Sequence, residues 1–369
     1  MVINMVTTPD VVKVLSLGFF GVITAFALTP ALTSFLYKNK LWKKKVRDKS
    51  IDGKELPIFQ KFHSKKEIGT PRMGGIIFWI TTCFLAFFFY LISLITDIWW
   101  IEKLNFLSRE QTWLPLFALL TASLVGLFDD ALQVISTPSN KLLKKVWIKM
   151  NKYVGGGLSL KYRLMMVGLI GLAGGLWFYF KLGGDMIDIP FVGDVFIGFW
   201  YIPLFVVVMM ATYSGGVVDG LDGLSGGVFA SIFGAYAVIA LSQHQFDLAS
   251  FCAVLMGSIF AFLWFNIPPA RFYMGETGII GLCATLTVVA FLTNAVLVLP
   301  IIAVILVIES ASVILQLFSK KILKRKLFLA APIHHHFEAK NWPSYKVTMR
   351  FWIIGVVAAI LGITIKLFG

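Results

Sequence analysis

Ten apolar stretches, most of roughly 20 residues, decide what this chain can fold into. They run over 11–36, 73–95, 112–128, 163–180, 199–216, 224–242, 249–265, 278–293, 295–318 and 348–367. About 20 helical residues cross the hydrocarbon core of a bilayer, and a helix satisfies its own backbone polar groups there. The sequence therefore predicts an all-α integral membrane protein with ten transmembrane helices. Alternating strand patterns are absent, which sets a β-barrel aside. No compositional break or repeat divides the chain, so residues 1–369 are expected to form a single polytopic membrane domain. The first stretch is read as a retained helix. Its basic cluster, Lys38 to Lys49, follows it, whereas a secretory signal carries its charge in front.

Charge orients the helices. Of 33 Lys and Arg residues, 28 fall in the connections 37–72, 131–163, 266–277 and 319–350. The positive-inside rule makes those connections cytoplasmic and puts both termini on the extracytoplasmic side. The net charge of +14 also suits phosphate-bearing substrates and anionic lipids. The outward loop 181–198, with Asp185, Asp188 and Asp194 among Gly and Pro, is expected to be a short turn-rich hairpin.

The same count sorts the polar residues. Asp129, Asp130, Asp219, Asp222, Asn266, Glu276, His334, His335 and His336 all fall at cytoplasmic ends of spans or in cytoplasmic loops. They are expected to converge on one active-site cleft at the cytoplasmic face, and a helix count wrong by one would separate them. Ionisable groups are expensive in lipid and mark functional sites by default.

Each motif also has a plainer reading. Val217–Gly227, VVDGLDGLSGG, puts Asp219 and Asp222 on one face if helical. An open turn would instead free glycine amides for a nucleobase or phosphate. Phe128-Asp129-Asp130 closes the third stretch, where a carboxylate opposes the helix dipole. The two aspartates point about 100° apart, so one can face a cavity while the other is held elsewhere. Gly69–Gly75, GTPRMGG, lacks the GK[ST] ending of a P-loop and can be no more than a helix entry. Lys65 and Lys66 just before it are within reach of a phosphate. In Asn266–Gly278, NIPPARFYMGETG, Pro268-Pro269 stops one helix and Glu276 opens the next. The dipole favours a carboxylate there in any case, yet with neighbouring oxygens Glu276 becomes a candidate Mg²⁺ ligand. His334–His336 cannot all meet one zinc from a helix, but in a loop they could donate hydrogen bonds to a diphosphate. Glu309, inside the ninth stretch, has no evident partner, so a hydrogen bond in the bundle interior is expected. Cys83, Cys252 and Cys283 lie inside spans and read as small buried hydrophobes.

Taken in order, GTPRMGG, LVGLFDD, VVDGLDGLSGG, FNIPPARFYMGETG and PIHHHFE resemble the phospho-N-acetylmuramoyl-pentapeptide transferase family, within the polyprenyl-phosphate sugar-1-phosphate transferases. The resemblance runs from about Gly69 to Glu338 and extends to the ten-span, termini-out topology. It implies a multi-pass enzyme of the bacterial cytoplasmic (inner) membrane. The implied reaction transfers phospho-N-acetylmuramoyl-pentapeptide from UDP-N-acetylmuramoyl-pentapeptide to undecaprenyl phosphate. Lipid I and UMP result, in peptidoglycan synthesis, with Mg²⁺ as cofactor. By resemblance, Asp129 deprotonates or attacks in the lipid-phosphate step, with Asp130 beside it, and Glu276 stands where the family has a metal-binding Asp. Asp222 and Asn266 fall at positions of the uridine pocket, with Asp219 close by. His334, His335 and His336 match a substrate-side element, and Lys66 matches a substrate lysine. The resemblance admits a homodimer; no nucleic-acid partner is expected. The family commonly has Asn where this chain has Gly216, and the segment after Asp130 is longer than usual. The alternatives are a UDP-N-acetylhexosamine-1-phosphate transferase on polyprenyl phosphate and a transporter. A transporter would place its charges near the membrane midplane rather than at one edge.

Overall fold

The apolar stretches become helices that differ chiefly in how much of each is covered by its neighbours. The computed structural model describes residues 6–43, 69–108, 111–134 and 157–369. Their order is α1 (Thr8–Lys38), α2 (Ile76–Ser93), the short α3 (Trp99–Leu104), α4 (Trp113–Val134) and α5 (Leu160–Lys181). A hairpin β1 (Met186–Ile189) and β2 (Gly193–Phe196) follows, then α6 (Tyr201–Gly215), α7 (Leu224–Ser242), α8 (Phe246–Asn266) and α9 (Gly275–Leu292). The chain ends in α10 (Leu299–Ile302), α11 (Val304–Phe318), α12 (Ile333–Ala339) and α13 (Ser344–Phe368). Among the described residues, nine helical segments are long and apolar enough to cross a membrane. The stretch 295–318 is delivered as two pieces, α10 with Pro300 in its first turn and α11, separated at Ala303.

The centre of the bundle is α9. Its apolar window is 89% buried, against 78% for α7 and α8 and only 22% for α5 and α13. The outer helices turn Leu15, Phe19, Trp177, Ile353 and Ile360 outward, a surface suited to lipid. In lipid no hydrophobic force drives helices together, so close packing of small residues must do it. The contact of α4 with α9 shows this, because a Cβ on Gly126 would collide with the Glu276 carbonyl oxygen.

Polar ties sort the two ends of the bundle. At one end Lys13 of α1 donates to Asp247 at the start of α8 (2.5 Å) and to the Asn105 carbonyl oxygen (3.0 Å). Lys366 of α13 donates to Asp188 of β1 and to the Asn294 carbonyl oxygen. The expected hairpin in 181–198 is here, a two-stranded antiparallel ladder with Asp188 opposite Asp194. The start of α1 and the end of α13 thus lie at this end, and Asn266 and Glu276, at the far ends of α8 and α9, lie at the other.

Candidate active site

At that far end α4 does not stop at Phe128. It runs through Asp129 and Asp130 to Val134, because both carboxylates find partners and need no solvent. Asp129, with no exposed surface, accepts hydrogen bonds from the Leu158 amide and from Gln133 Nε2 (3.1 Å). Its Oδ2 also lies 2.8 Å from Arg163 Nη2. The other guanidinium nitrogen of Arg163 bonds Glu276 Oε1. One arginine in the first turn of α5 therefore straddles carboxylates from α4 and α9, the two-pronged geometry that guanidinium favours.

Asp130 points the other way, as adjacent helical positions must. Its Oδ2 accepts the Thr277 amide at 2.9 Å, so a residue of α4 caps the N-terminus of α9 in trans. Its Oδ1 accepts no hydrogen bond among the described residues, and Arg72 Nε lies 3.7 Å away. Gly275, at φ +76°, lets the backbone pass; a Cβ there would collide with Asp130 Oδ2. Gly275→Ala is expected to cost about 2 kcal/mol through that strain and lost cap. Thermal melting of purified protein checks it: an unchanged melting temperature would show that the cap is dispensable.

The stretch after α6 is the open turn, not a helix presenting both aspartates on one face. A single 3-10 turn, Gly216–Val218, leads into it, and Gly223 at φ +79° leads out into α7. Asp219 Oδ1 accepts the Ser225 hydroxyl at 2.8 Å. Burial pushes the Asp219 carboxyl up from its ordinary value, against the pull of Ser225 and Arg72 and with Glu276 adding to the rise. Asp222 Oδ2 faces the Ala270 amide at 3.4 Å. Asn266 braces the loop from both ends of its amide, accepting from Gly223 N (2.9 Å) and donating to the Phe272 carbonyl oxygen (2.8 Å). At Gly216 a Cβ would collide with Ile279 Cγ2, so Asn would not fit here without a shift of that side chain.

The three histidines stand on a seven-residue helix, α12, rather than in a loop, and each ring takes a different partner. His334 is fully buried, with Nδ1 2.9 Å from Glu309 Oε2 and its ring against Gly220. His335 lies edge-on to His334 and bonds Glu338 at 2.7 Å. His336 accepts the Leu329 amide at 3.1 Å, and burial pulls its imidazole down from the ordinary value, helped by Lys340. Of the three, His334 is the one placed on the Asp219–Asp222 loop. Lys66 lies outside the described residues.

Asp129, Asp130, Asp219 and Glu276 thus gather around the N-terminus of α9, with Arg72 and Arg163 as counter-cations. Sequence reasoning passed over both arginines, counting them only as loop charges. Arg163 had one usable signal: it opens the fourth apolar stretch, in helical register with Val167 and Gly171 on the buried face of α5. The arrangement offers hard oxygen donors, a buried base and anchored cations, the inventory of a phosphate-transfer site.

Known proteins agree in kind. Residues 112–294 match the family model described as glycosyl transferase family 4. The chain is 33% identical over 347 residues to the phospho-N-acetylmuramoyl-pentapeptide-transferase of Lactiplantibacillus plantarum, covering 93% of this chain and 95% of that one. It is 32% identical over 363 residues to the protein of the same name from Geobacillus thermodenitrificans, covering 97% and 99%. For that of Levilactobacillus brevis the identity is 34% over 309 residues, covering 83% and 87%.

Proposed function

The chain belongs to the phospho-N-acetylmuramoyl-pentapeptide transferase family, and from that premise we propose the reaction it carries out and the residues that perform it. It transfers phospho-N-acetylmuramoyl-pentapeptide from the UDP-linked precursor to undecaprenyl phosphate, forming lipid I and UMP in peptidoglycan synthesis. The observation that carries the reading is the gathering of Asp129, Asp130, Asp219 and Glu276 at one end of a lipid-facing helix bundle, with Arg163 between two of them.

In this reading the whole chain is one polytopic unit of the bacterial cytoplasmic membrane. The broken segment α10–α11 completes ten crossings, and the site end, beside the basic connections, faces the cytoplasm. A homodimer is compatible with it. The lipid phosphate enters sideways between helices. Asp129, desolvated and held by the Leu158 amide, takes its proton. The freed oxygen attacks the β-phosphorus in line, a new P–O bond forms, and the bond from that phosphorus to the bridging oxygen breaks to release UMP. Arg72 and Arg163 hold phosphate charge, and the Asp219–Asp222 loop with His334 seats the nucleotide. One diphosphate bond replaces another, so the reaction runs in both directions.

The family's Mg²⁺ suits the donor set. Asp130 Oδ1 is a buried carboxylate oxygen with no hydrogen bond among the described residues, the hard donor such an ion takes. No ready cluster of three ligating side chains stands among the described residues, in keeping with a Mg²⁺ held by one or two carboxylates plus substrate phosphates and water. Asp130 and Glu276 would hold it. When bound it neutralises charge on the diphosphate.

The test is UMP release by purified protein with undecaprenyl phosphate and either UDP-N-acetylmuramoyl-pentapeptide or UDP-N-acetylglucosamine, with Mg²⁺ and after chelation. Release from the muramoyl donor alone, lost on chelation, is expected. Release from the glucosamine donor instead would move the chain to the hexosamine-phosphate branch.

A further inference from the structure

A carboxylate with no place in the reaction above sits in the middle of α11. Glu309 is fully buried, and its partner is His334, 25 positions away and also fully buried. Glu309 Oε2 meets His334 Nδ1 at 2.9 Å. The opposite ring nitrogen, Nε2, has no hydrogen-bond partner among the described residues. It lies against Gly220, where a Cβ would collide with it. Gly220 does not have positive φ. Its lack of a side chain is therefore required by the imidazole and not by the backbone.

Buried nitrogens are nearly always paired, and one left open costs stability. A chain that holds this one open, against Gly220 of the Asp219–Asp222 loop, keeps it for something that arrives. A carboxylate on one imidazole nitrogen fixes tautomer and ring plane, which settles what the other nitrogen presents. We propose that Glu309 is a positioning residue. By holding Nδ1 of His334 it aims Nε2 past Gly220 at a phosphate or hydroxyl oxygen of the nucleotide sugar.

The inference rests on the transferase reading for the identity of that ligand. The experiment compares Glu309→Gln, His334→Gln, the double variant and Gly220→Ala in full-length protein. Two readouts are used: turnover of UDP-N-acetylmuramoyl-pentapeptide, and calorimetric binding of UMP, which does not depend on turnover. Each single variant is expected to lose about 10- to 100-fold in kcat/KM, measured at a temperature where the variant remains fully folded. The double variant should lose no more than His334→Gln alone, because Glu309 acts only through the ring. Gly220→Ala, which displaces the ring without touching Glu309, should lose as much. Losses that multiply in the double variant, or wild-type kcat/KM in Glu309→Gln, would overturn the proposal. So would a Glu309→Gln loss that merely follows a lowered melting temperature while Gly220→Ala stays active. A wild type that binds UMP but does not turn over the muramoyl donor defeats the assigned reaction and leaves the binding comparison to decide the pair. Failure to bind UMP defeats the pair as well.

Discussion

Asp129→Asn is expected to lower the rate of UMP release by about 100- to 10,000-fold, the range ascribed to a general base. The substitution is close to isosteric, and the amide oxygen can still accept from the Leu158 amide. What disappears is the ability to take a proton and the negative charge opposite Arg163. A matching melting temperature would confine the loss to chemistry. Exchange of labelled UMP into the UDP-sugar, run with undecaprenyl phosphate present, reads the same displacement in both directions, and a variant exchanging at the wild-type rate would remove Asp129 from the mechanism.

Arg163→Met acts on the other side of the same bond, with an effect expected to be as visible in stability as in rate. The guanidinium is 14% exposed and its two carboxylate partners are 0% and 18% exposed. Removing one member of such a pair leaves charge buried without compensation, at a cost of about 3–5 kcal/mol. The melting temperature should fall and turnover with it. Arg163→Lys should recover only part of both, because an ammonium is a point charge and cannot reach two carboxylates with two parallel prongs. Wild-type melting of Arg163→Met would mean that the bridge is ornamental.

How far could these features be read from residues alone? The helical spans were, because a run of about 20 apolar residues has few other fates. The break at Ala303 was not, since it falls inside an unbroken apolar run with only Pro300 to hint at it. Where α4 ends was misplaced for a related reason. Hydropathy stops at Phe128, whereas the helix continues once Arg163 and Thr277 satisfy the two aspartates. The open turn at Asp219–Asp222 was legible in its glycines, though the choice between turn and helix was not. Glu309 was noticed as an oddity, but its partner lies beyond any local periodicity. The histidine run was legible as a feature and not as a geometry. On α12 its members divide among Glu309, Glu338 and the Leu329 amide.

The bond between Asp130 and the Thr277 amide joins positions 147 residues apart. A ribosome adding about 5–20 residues per second needs on the order of ten to thirty seconds to bring the second partner after the first. For that interval Asp130 at the end of α4 lacks its amide donor, although Asp129 meets Leu158 and Arg163 within a few tens of residues. Completion of the reaction centre and final seating of the central helix are then one event, late in biogenesis. A chain halted before α9 emerges should remain a substrate for membrane proteases and chaperones, however well its earlier spans have inserted.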